Sequence, residues 1–334
     1  MKAVVPVDAD TYLRHALHGP DREWPETNCS ADVWIEIIHS LGLDPTPAAA
    51  CALSADFVGD QWRFLKFPFE DLRELYGLHV EEITLWRPLV QHVEEHLAGG
   101  RLLTVEADAF HLPDTVGTTY RSTHSKSTVV PNAIDTSARR LAYFHGAGYH
   151  ELSDADFDAV LRTGENDVHA GLLPYVEVIV LDRVVRHESA RQVDLARRLV
   201  VEHVARRPAD NPVDRLRLRV LEELDRLSAQ GMTAFHQFAF STLRQCGASA
   251  ELSASVLAWL TERGSGPPPS VAAAFTAAAV GAKTAQFTLA RLGRRGHGDL
   301  ERALRTVAAA WARGMAGAAA WAGGGGGWCD RDMG

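Results

Sequence analysis

The chain has 334 residues, 46% hydrophobic and 23% charged, with a formal net charge of −9. That length and mixture suit a soluble globular protein of two domains, and the acidic balance argues against nonspecific nucleic-acid binding. Four scattered cysteines (Cys29, Cys51, Cys246 and Cys329) include no C-x-x-C pair, which argues against a zinc site or a disulfide framework and fits a reducing cytoplasm. The N-terminus lacks the basic start and apolar run of a signal peptide, and no uncharged apolar run reaches membrane-spanning length. The expectation is a cytoplasmic protein with no metal, no membrane segment and no nucleic-acid partner.

In chain order, "PETNCSADVWIEIIHSLGL" turns from polar residues into a helix. Val33, Trp34, Ile37, Ile38 and Leu41 recur at helical spacing, with Thr27, Asn28 and Ser30 as candidate N-caps. "ITLWRPLVQHVEEHLAGG" reads as a second helix, closed by Gly99 and Gly100. "RLLTVEADAF", "KSTVVPNAI", "RRLAYFH" and "YVEVIVLD" read as strands, rich in β-branched and aromatic residues. The turn in "PNAIDTSA" joins the second and third as a hairpin. From about 186 onward the strand signals vanish and six segments show helical periodicity, with Gly or Pro at most joints. The predicted architecture is an α/β (α+β) domain over 1–185, a helical bundle over 186–321 and a disordered glycine-rich tail over 322–334. Cys329 lies in that tail.

Cys29 carries the chemical interest. A thiol in the first turn of a helix lies near free N–H groups and the positive end of the helix dipole, both of which favour the thiolate. Such a nucleophile needs a histidine, distant in sequence and near in space. Of fifteen histidines, His124 is best placed, at the start of a strand signal in "YRSTHSKSTVV". A helix-borne cysteine followed by a strand-borne histidine suits a papain-like arrangement. A third residue must accept from the second imidazole nitrogen. His145 at the end of the next strand, Asp135 in the turn and Asp108 on the preceding strand are the candidates, and periodicity does not choose among them.

The basic residues are 30 Arg and only 4 Lys. A lysine in such a chain is one that arginine does not readily replace. Lys66 and Lys126 lie in the segments that also hold Gln61 and His124, so at least one is expected to line the site.

The strings "RHALHGPDREWPETNCSADVWIEIIHSLGLDP", "ADFVGDQWRFLKFPFEDLRELYGLHVEEITLWRPL", "LLTVEADAFHLPDTVGTTYRSTHSKSTVV" and "LAYFHGAGYHEL" resemble the bacterial family catalogued as domain of unknown function 1839, over about residues 8–320. More remotely, "VEADAFHLPD", then a histidine, then a β-hairpin, is similar to the N-terminal domain of butirosin biosynthesis protein H. That group resembles a papain-like cysteine-peptidase fold reused as an acyltransferase, moving an acyl group from a carrier-protein thioester to an amine. The resemblance implies Cys29 as nucleophile and His124 as base. Where that group carries an acidic or amide residue, this chain has His145. Family members also resemble partners of amino acid:carrier protein ligases, which implies an aminoacyl carrier protein as donor, its phosphopantetheine arm bringing the thioester. No bound cofactor is implied.

On this reading the Cys29 thiolate attacks the thioester, and an amine acceptor discharges the acyl-enzyme with His124 taking the proton. The Cys29 N–H and the side chain of Asn28 or Gln61 are candidate oxyanion donors. Lys66 and Lys126 are candidates for binding substrate charge, and Trp24, Trp62 and Trp86 for walling a dry pocket. An acidic carrier protein demands a local basic surface, for which "ARRLVVEHVARR", "DRLRLR" and "RLGRRG" are candidates. Two other classes stay open. One is a cysteine peptidase, amidase or thioesterase with the same pair. The other is a non-catalytic carrier-binding scaffold.

Overall fold

The computed structural model describes residues 1–163, 173–291 and 298–324. In chain order the elements are α1 (Cys29–Ser40), β1 (Phe57–Val58), β2 (Gln61–Trp62), α2 (Phe69–Tyr76), β3 (His79–Glu82), α3 (Leu89–Ala98), β4 (Leu102–Asp108), β5 (Lys126–Asp135), β6 (Arg140–His145), β7 (Gly148–Ser153), α4 (Asp154–Leu161) and β8 (Val176–Val180). The helices α5 (Ser189–Ala205), α6 (Pro212–Gln230), α7 (Met232–Ala239), α8 (Gln245–Glu262), α9 (Pro269–Arg291) and α10 (Gly298–Gly324) follow. The architecture is mixed α+β, with a β-rich N-terminal region and an all-helical C-terminal region. Among the described residues no helix is long and apolar enough to cross a membrane.

Two compact units account for these elements. The sheet unit comprises Met1–Gly19, Asn28–Pro45 and Phe67–His187; the helical unit comprises Pro20–Thr27, Thr46–Lys66 and Glu188–Gly334. The division differs from a simple cut near 185, because two early segments pack with the helices. Trp24 Nε1 donates to the Ala279 carbonyl at 3.0 Å, and Trp62 Nε1 donates to Ser249 Oγ at 3.1 Å. A buried indole N–H needs such a partner. Gly247 makes room for Trp24, since a Cβ there would lie 2.3 Å from the ring. Lys283 completes this contact: its Nζ sits 4.2 Å from the Trp24 ring centroid and donates to the Glu23 carbonyl at 2.6 Å. Helix α10 runs on to Gly324, into the stretch expected as tail. The rest of that tail, with Cys329, lies outside the described residues.

In the sheet unit, six antiparallel strands run in the order β3-β8-β4-β5-β6-β7. The expected hairpin is present, with Asp135 opposite Arg140 and a bulge between Pro131 and Ala133. Proline removes a ladder donor, and the bulge accommodates it. Strand β7 was not expected; "GYHELS" mixes Gly and polar residues and carries little strand signal. Helix α3 is shorter than expected. It starts after Pro88, whose ring excludes a helix running through it from Ile83.

Helix α1 packs its apolar side into the core, with Val33, Trp34, Ile37 and Ile38 buried. Its polar stripe is also buried. Cys29, Asp32, Glu36 and Ser40 lie at helical spacing on one side. His18 is 1% exposed, Glu36 0% and Asp32 3%, and a charge so buried must be paired. His18 Nδ1 meets Glu36, and its Nε2 lies 3.4 Å from Asp32. Tyr12 adds a hydrogen bond to Glu36 and one with Ser40 at 3.2 Å. This network fastens the N-terminal arm to α1.

Burial disfavours the His18 cation, but hydrogen bonds and charge from Asp32 and Glu36 outweigh it and raise the pKa from 6.5 to about 9. A raised histidine pKa stabilises the fold fully below about 6.5, and the contribution is lost as pH rises through about 9. The scale is about 3 kcal/mol. His18→Gln should therefore lower the thermal midpoint at pH 6, and its gap to wild type should narrow toward pH 10. A gap constant from pH 6 to 10 in thermal melts would refute the buried cation.

Candidate active site

Cys29 is the first residue of α1 and is half-buried. Asn28 caps the helix. Its Oδ1 accepts from the N–H groups of Ser30 and Ala31, each at 3.0 Å. That oxygen is thus committed to the cap, and of the two side-chain ends expected to serve an oxyanion only Nδ2 is a donor. The backbone N–H of Cys29, at the first position of the helix, has no intrahelical acceptor. Thr128 Oγ1 donates to Cys29 Sγ at 3.5 Å. The sulfur thus has a hydroxyl donor and a helix N-terminus beside it.

Thr128 locates the thiol on the sheet. It stands opposite Glu106, while Lys126 stands opposite Asp108. Side chains alternate along a strand, so Thr128, Lys126, Glu106 and Asp108 share one face. Lys126 Nζ pairs with Glu106 at 3.0 Å. Two positions along from Thr128, Asp108 Oδ2 accepts from His124 Nδ1 at 2.6 Å. A carboxylate only accepts, so Nδ1 carries the proton and Nε2 presents its lone pair. Asp108 is itself held by the N–H groups of Phe110 at 3.0 Å and Ser125 at 3.2 Å. Burial pushes its carboxyl up, but the His124 hydrogen bond and those two N–H donors prevail and hold it below the usual range. The His124 ring stacks on Phe110, with centroids 4.4 Å apart, and its side chain is 71% exposed. An open groove of about 570 Å³ runs beside it, lined by Glu106, Asp108, His124, Lys126, Arg162 and Tyr175 among others.

Of the three candidate partners for His124, the structure selects Asp108. His145 is corrected: it stands opposite Val129, on the other face of the sheet from Thr128 and Asp108. There its Nδ1 bonds Asp114 at 2.5 Å and its Nε2 bonds Ser127 Oγ at 2.6 Å. Asp135 is corrected too. It lies at the far end of β5, about 30 Å from Lys126 in extended chain, where it accepts from Ser137 Oγ and the Ala138 N–H. The dyad itself needs revision. The Asp108 anchor holds His124 two strand positions, about 7 Å, beyond the Thr128 that meets Cys29, so no hydrogen bond joins His124 to Cys29 among the described residues.

Lys126 lines the groove. Gln61, Trp62 and Lys66 belong to the helical unit. Trp62 is a core residue there, 5.4 Å between ring centroids from Trp311, and Trp24 is a core residue of the same unit. Trp86 is 78% exposed with Arg87 over its ring. The run "DRLRLR" is paired with acidic neighbours, whereas in "ARRLVVEHVARR" Arg206 pairs with Glu202 and Arg207 donates to the Val204 carbonyl. In α6, Arg215 pairs with Asp56 and Asp210, Arg217 with Asp214 and Glu301, and Arg219 with Glu222 and Glu223. "RLGRRG" falls outside the described residues from 292 onward. Thr128 was not foreseen; nothing in local sequence marks a strand threonine that meets a thiol across 99 residues.

The DUF1839 N-terminal domain model matches residues 13–181, and the DUF1839 C-terminal domain model matches residues 189–320. The chain belongs to the DUF1839 family. No match is found among curated proteins. In this DUF1839 chain the N-terminal match covers Cys29, Thr128, Asp108 and His124 together, so the whole geometry above lies within one family domain.

The tautomer assignment is directly testable. Imidazole nitrogen shifts in wild type should show His124 protonated on Nδ1. Asp108→Asn, which can donate where the carboxylate only accepts, should shift the population toward the Nε2–H form. An unchanged tautomer would overturn the orienting role of Asp108.

Proposed function

We propose that this DUF1839 protein is an acyltransferase with Cys29 as its nucleophile. It takes an aminoacyl or other small acyl group from a carrier-protein phosphopantetheine thioester and passes it to an amine, and its sheet unit is a papain-like domain adapted to that task. The observation that carries the reading is the position of Cys29 Sγ, at a helix N-terminus and under the Thr128 hydroxyl, on the sheet face that also carries the Asp108–His124 pair.

The thiolate attacks the thioester carbonyl, the C–S bond to the arm breaks, and the arm leaves as its thiolate, which takes a proton from solvent. The Cys29 N–H is positioned as one donor to the oxyanion. The amine then attacks the Cys29 thioester, its proton passes to His124 Nε2, and the Cys29 thiol is released. The offset of about 7 Å along the strand suits this second step. An attacking amine approaches its carbonyl to about 3 Å and sits about 3 Å from its base. A substrate nitrogen therefore fills the space between thioester and imidazole. His124 serves the acceptor amine rather than the thiol, whose Sγ is met by Thr128 at the start of α1. Lys126 and Glu106 flank the path and supply charges of both signs to substrate.

Intact mass tests the reading. Mixed with aminoacyl-loaded carrier protein and no acceptor, wild type should gain one acyl group, and Cys29→Ala none. His124→Ala should still acylate, but its discharge to the amine should slow by about 10²–10⁴-fold. Transfer by Cys29→Ala at a rate near wild type would eliminate the covalent route. Acylation lost in His124→Ala would show that His124 also activates the thiol.

A further inference from the structure

The other face of the same sheet holds a second nucleophile–base–carboxylate chain, independent of Cys29. Ser127 lies between Lys126 and Thr128, so its side chain points to the opposite face. Its Oγ meets His145 Nε2 at 2.6 Å. His145 Nδ1 meets Asp114 Oδ2 at 2.5 Å. The carboxylate only accepts, so Nδ1 carries the proton, and in the neutral imidazole Nε2 accepts from the serine O–H. That is the tautomer a general base needs. Asp114 is held in turn by the Tyr143 hydroxyl at 2.5 Å, with His150 Nε2 at 3.8 Å. Burial pushes the Asp114 carboxyl up, but His145 and Tyr143 prevail and keep it below the usual range. It therefore stays ionised beside the imidazole.

Ser127 and His145 are 7% and 9% exposed, and the groove wall adjoins them at Ala107. Ser127 stands directly opposite Ala107, with about 5 Å between their Cβ atoms. Ala107 lines the groove of about 570 Å³, and so does Ser125, which precedes β5. The inner wall of the groove is thus one residue from the serine hydroxyl. Ser125 brings a second hydroxyl about 7 Å along the chain.

We propose that Ser127, His145 and Asp114 form a second acyl-transfer centre, acting on small carboxylic esters or thioesters that enter by this groove. Ser127 Oγ bonds to the acyl carbon and its proton passes to His145 Nε2. The bond to the leaving alkoxide or thiolate breaks, and that group takes the proton. Water then attacks the acyl-serine, again losing its proton to His145. The carboxylic acid leaves and Ser127 regains its hydrogen.

An alkyl fluorophosphonate tests this on the full chain, because it captures a serine only where a base removes its proton. The P–F bond breaks as Oγ–P forms. Peptide mapping after labelling should find one adduct, on Ser127. Ser127→Ala should lose it, His145→Gln should slow it by at least about 10²-fold, and Cys29→Ala should label like wild type. The same Cys29→Ala chain should hydrolyse a p-nitrophenyl acyl ester, and adding Ser127→Ala to it should abolish that hydrolysis. No adduct on Ser127 in wild type, or equal labelling in a folded His145→Gln, would overturn the proposal. Neither result bears on carrier-protein acylation at Cys29, so the two centres fail or stand separately. If His145→Gln does not fold, wild type against Ser127→Ala decides alone.

Discussion

The register of β4 against β5 is the constraint on which the site depends. Opposing Glu106 to Thr128 and Asp108 to Lys126 fixes which side chains share a face. A slip of one residue would exchange the faces, placing Ser127 toward α1 and sending Thr128 to Asp114. The register is held at its open end by Asp108, which accepts from the Ser125 N–H and receives His124. At the other end, the bulge at Pro131 and the hairpin at Asp135 pin β5 to β6. One strand therefore serves two polar clusters, because consecutive residues point opposite ways.

The helix that presents Cys29 is anchored with comparable rigour. Its apolar side enters the core, and its polar stripe is satisfied by His18, Tyr12 and Ser40. Buried ionic groups of this kind seldom add net stability over an apolar core, but removing one partner is costly because the remainder is left unpaired. The arrangement locks the rotation of α1 about its axis, and with it the direction in which Cys29 faces. Asn28 closes the first turn. Thiol placement thus follows from a cap, a clamp and an apolar stripe on one 12-residue helix.

The lysine and tryptophan arguments separate by unit. Lys126 sits in the groove with Glu106, and Lys283 serves packing over Trp24. Trp24 and Trp62 reach into helical-unit cores, where each indole N–H finds an acceptor. Scarcity of a residue type marks positions with a specific demand, without revealing whether that demand is chemical or structural. The arginine run of α6 teaches a similar point. Counted along the chain it looks basic, yet helical neighbours three and four residues away neutralise it.

Local physics made much of this protein legible from sequence. The α1 start, the β5–β6 hairpin, the loss of strands after about 186 and the Cys29 position all follow from caps, periodicity and turn residues within a few positions of each other. Family membership was legible too, because long strings carry it. What sequence left open were contacts across the chain. Asp108 rather than His145 or Asp135 faces His124 because strand parity, set by hydrogen bonds between β4 and β5, decides faces. Asp114 meets His145 from a short 3-10 turn at Pro113–Thr115, a juxtaposition without any local signature. His18 reaches Glu36 only because the N-terminal arm folds back on α1. Periodicity assigns a residue to a face of its own element; only the tertiary structure, by register and by chain return, decides which other residues share the space in front of that face.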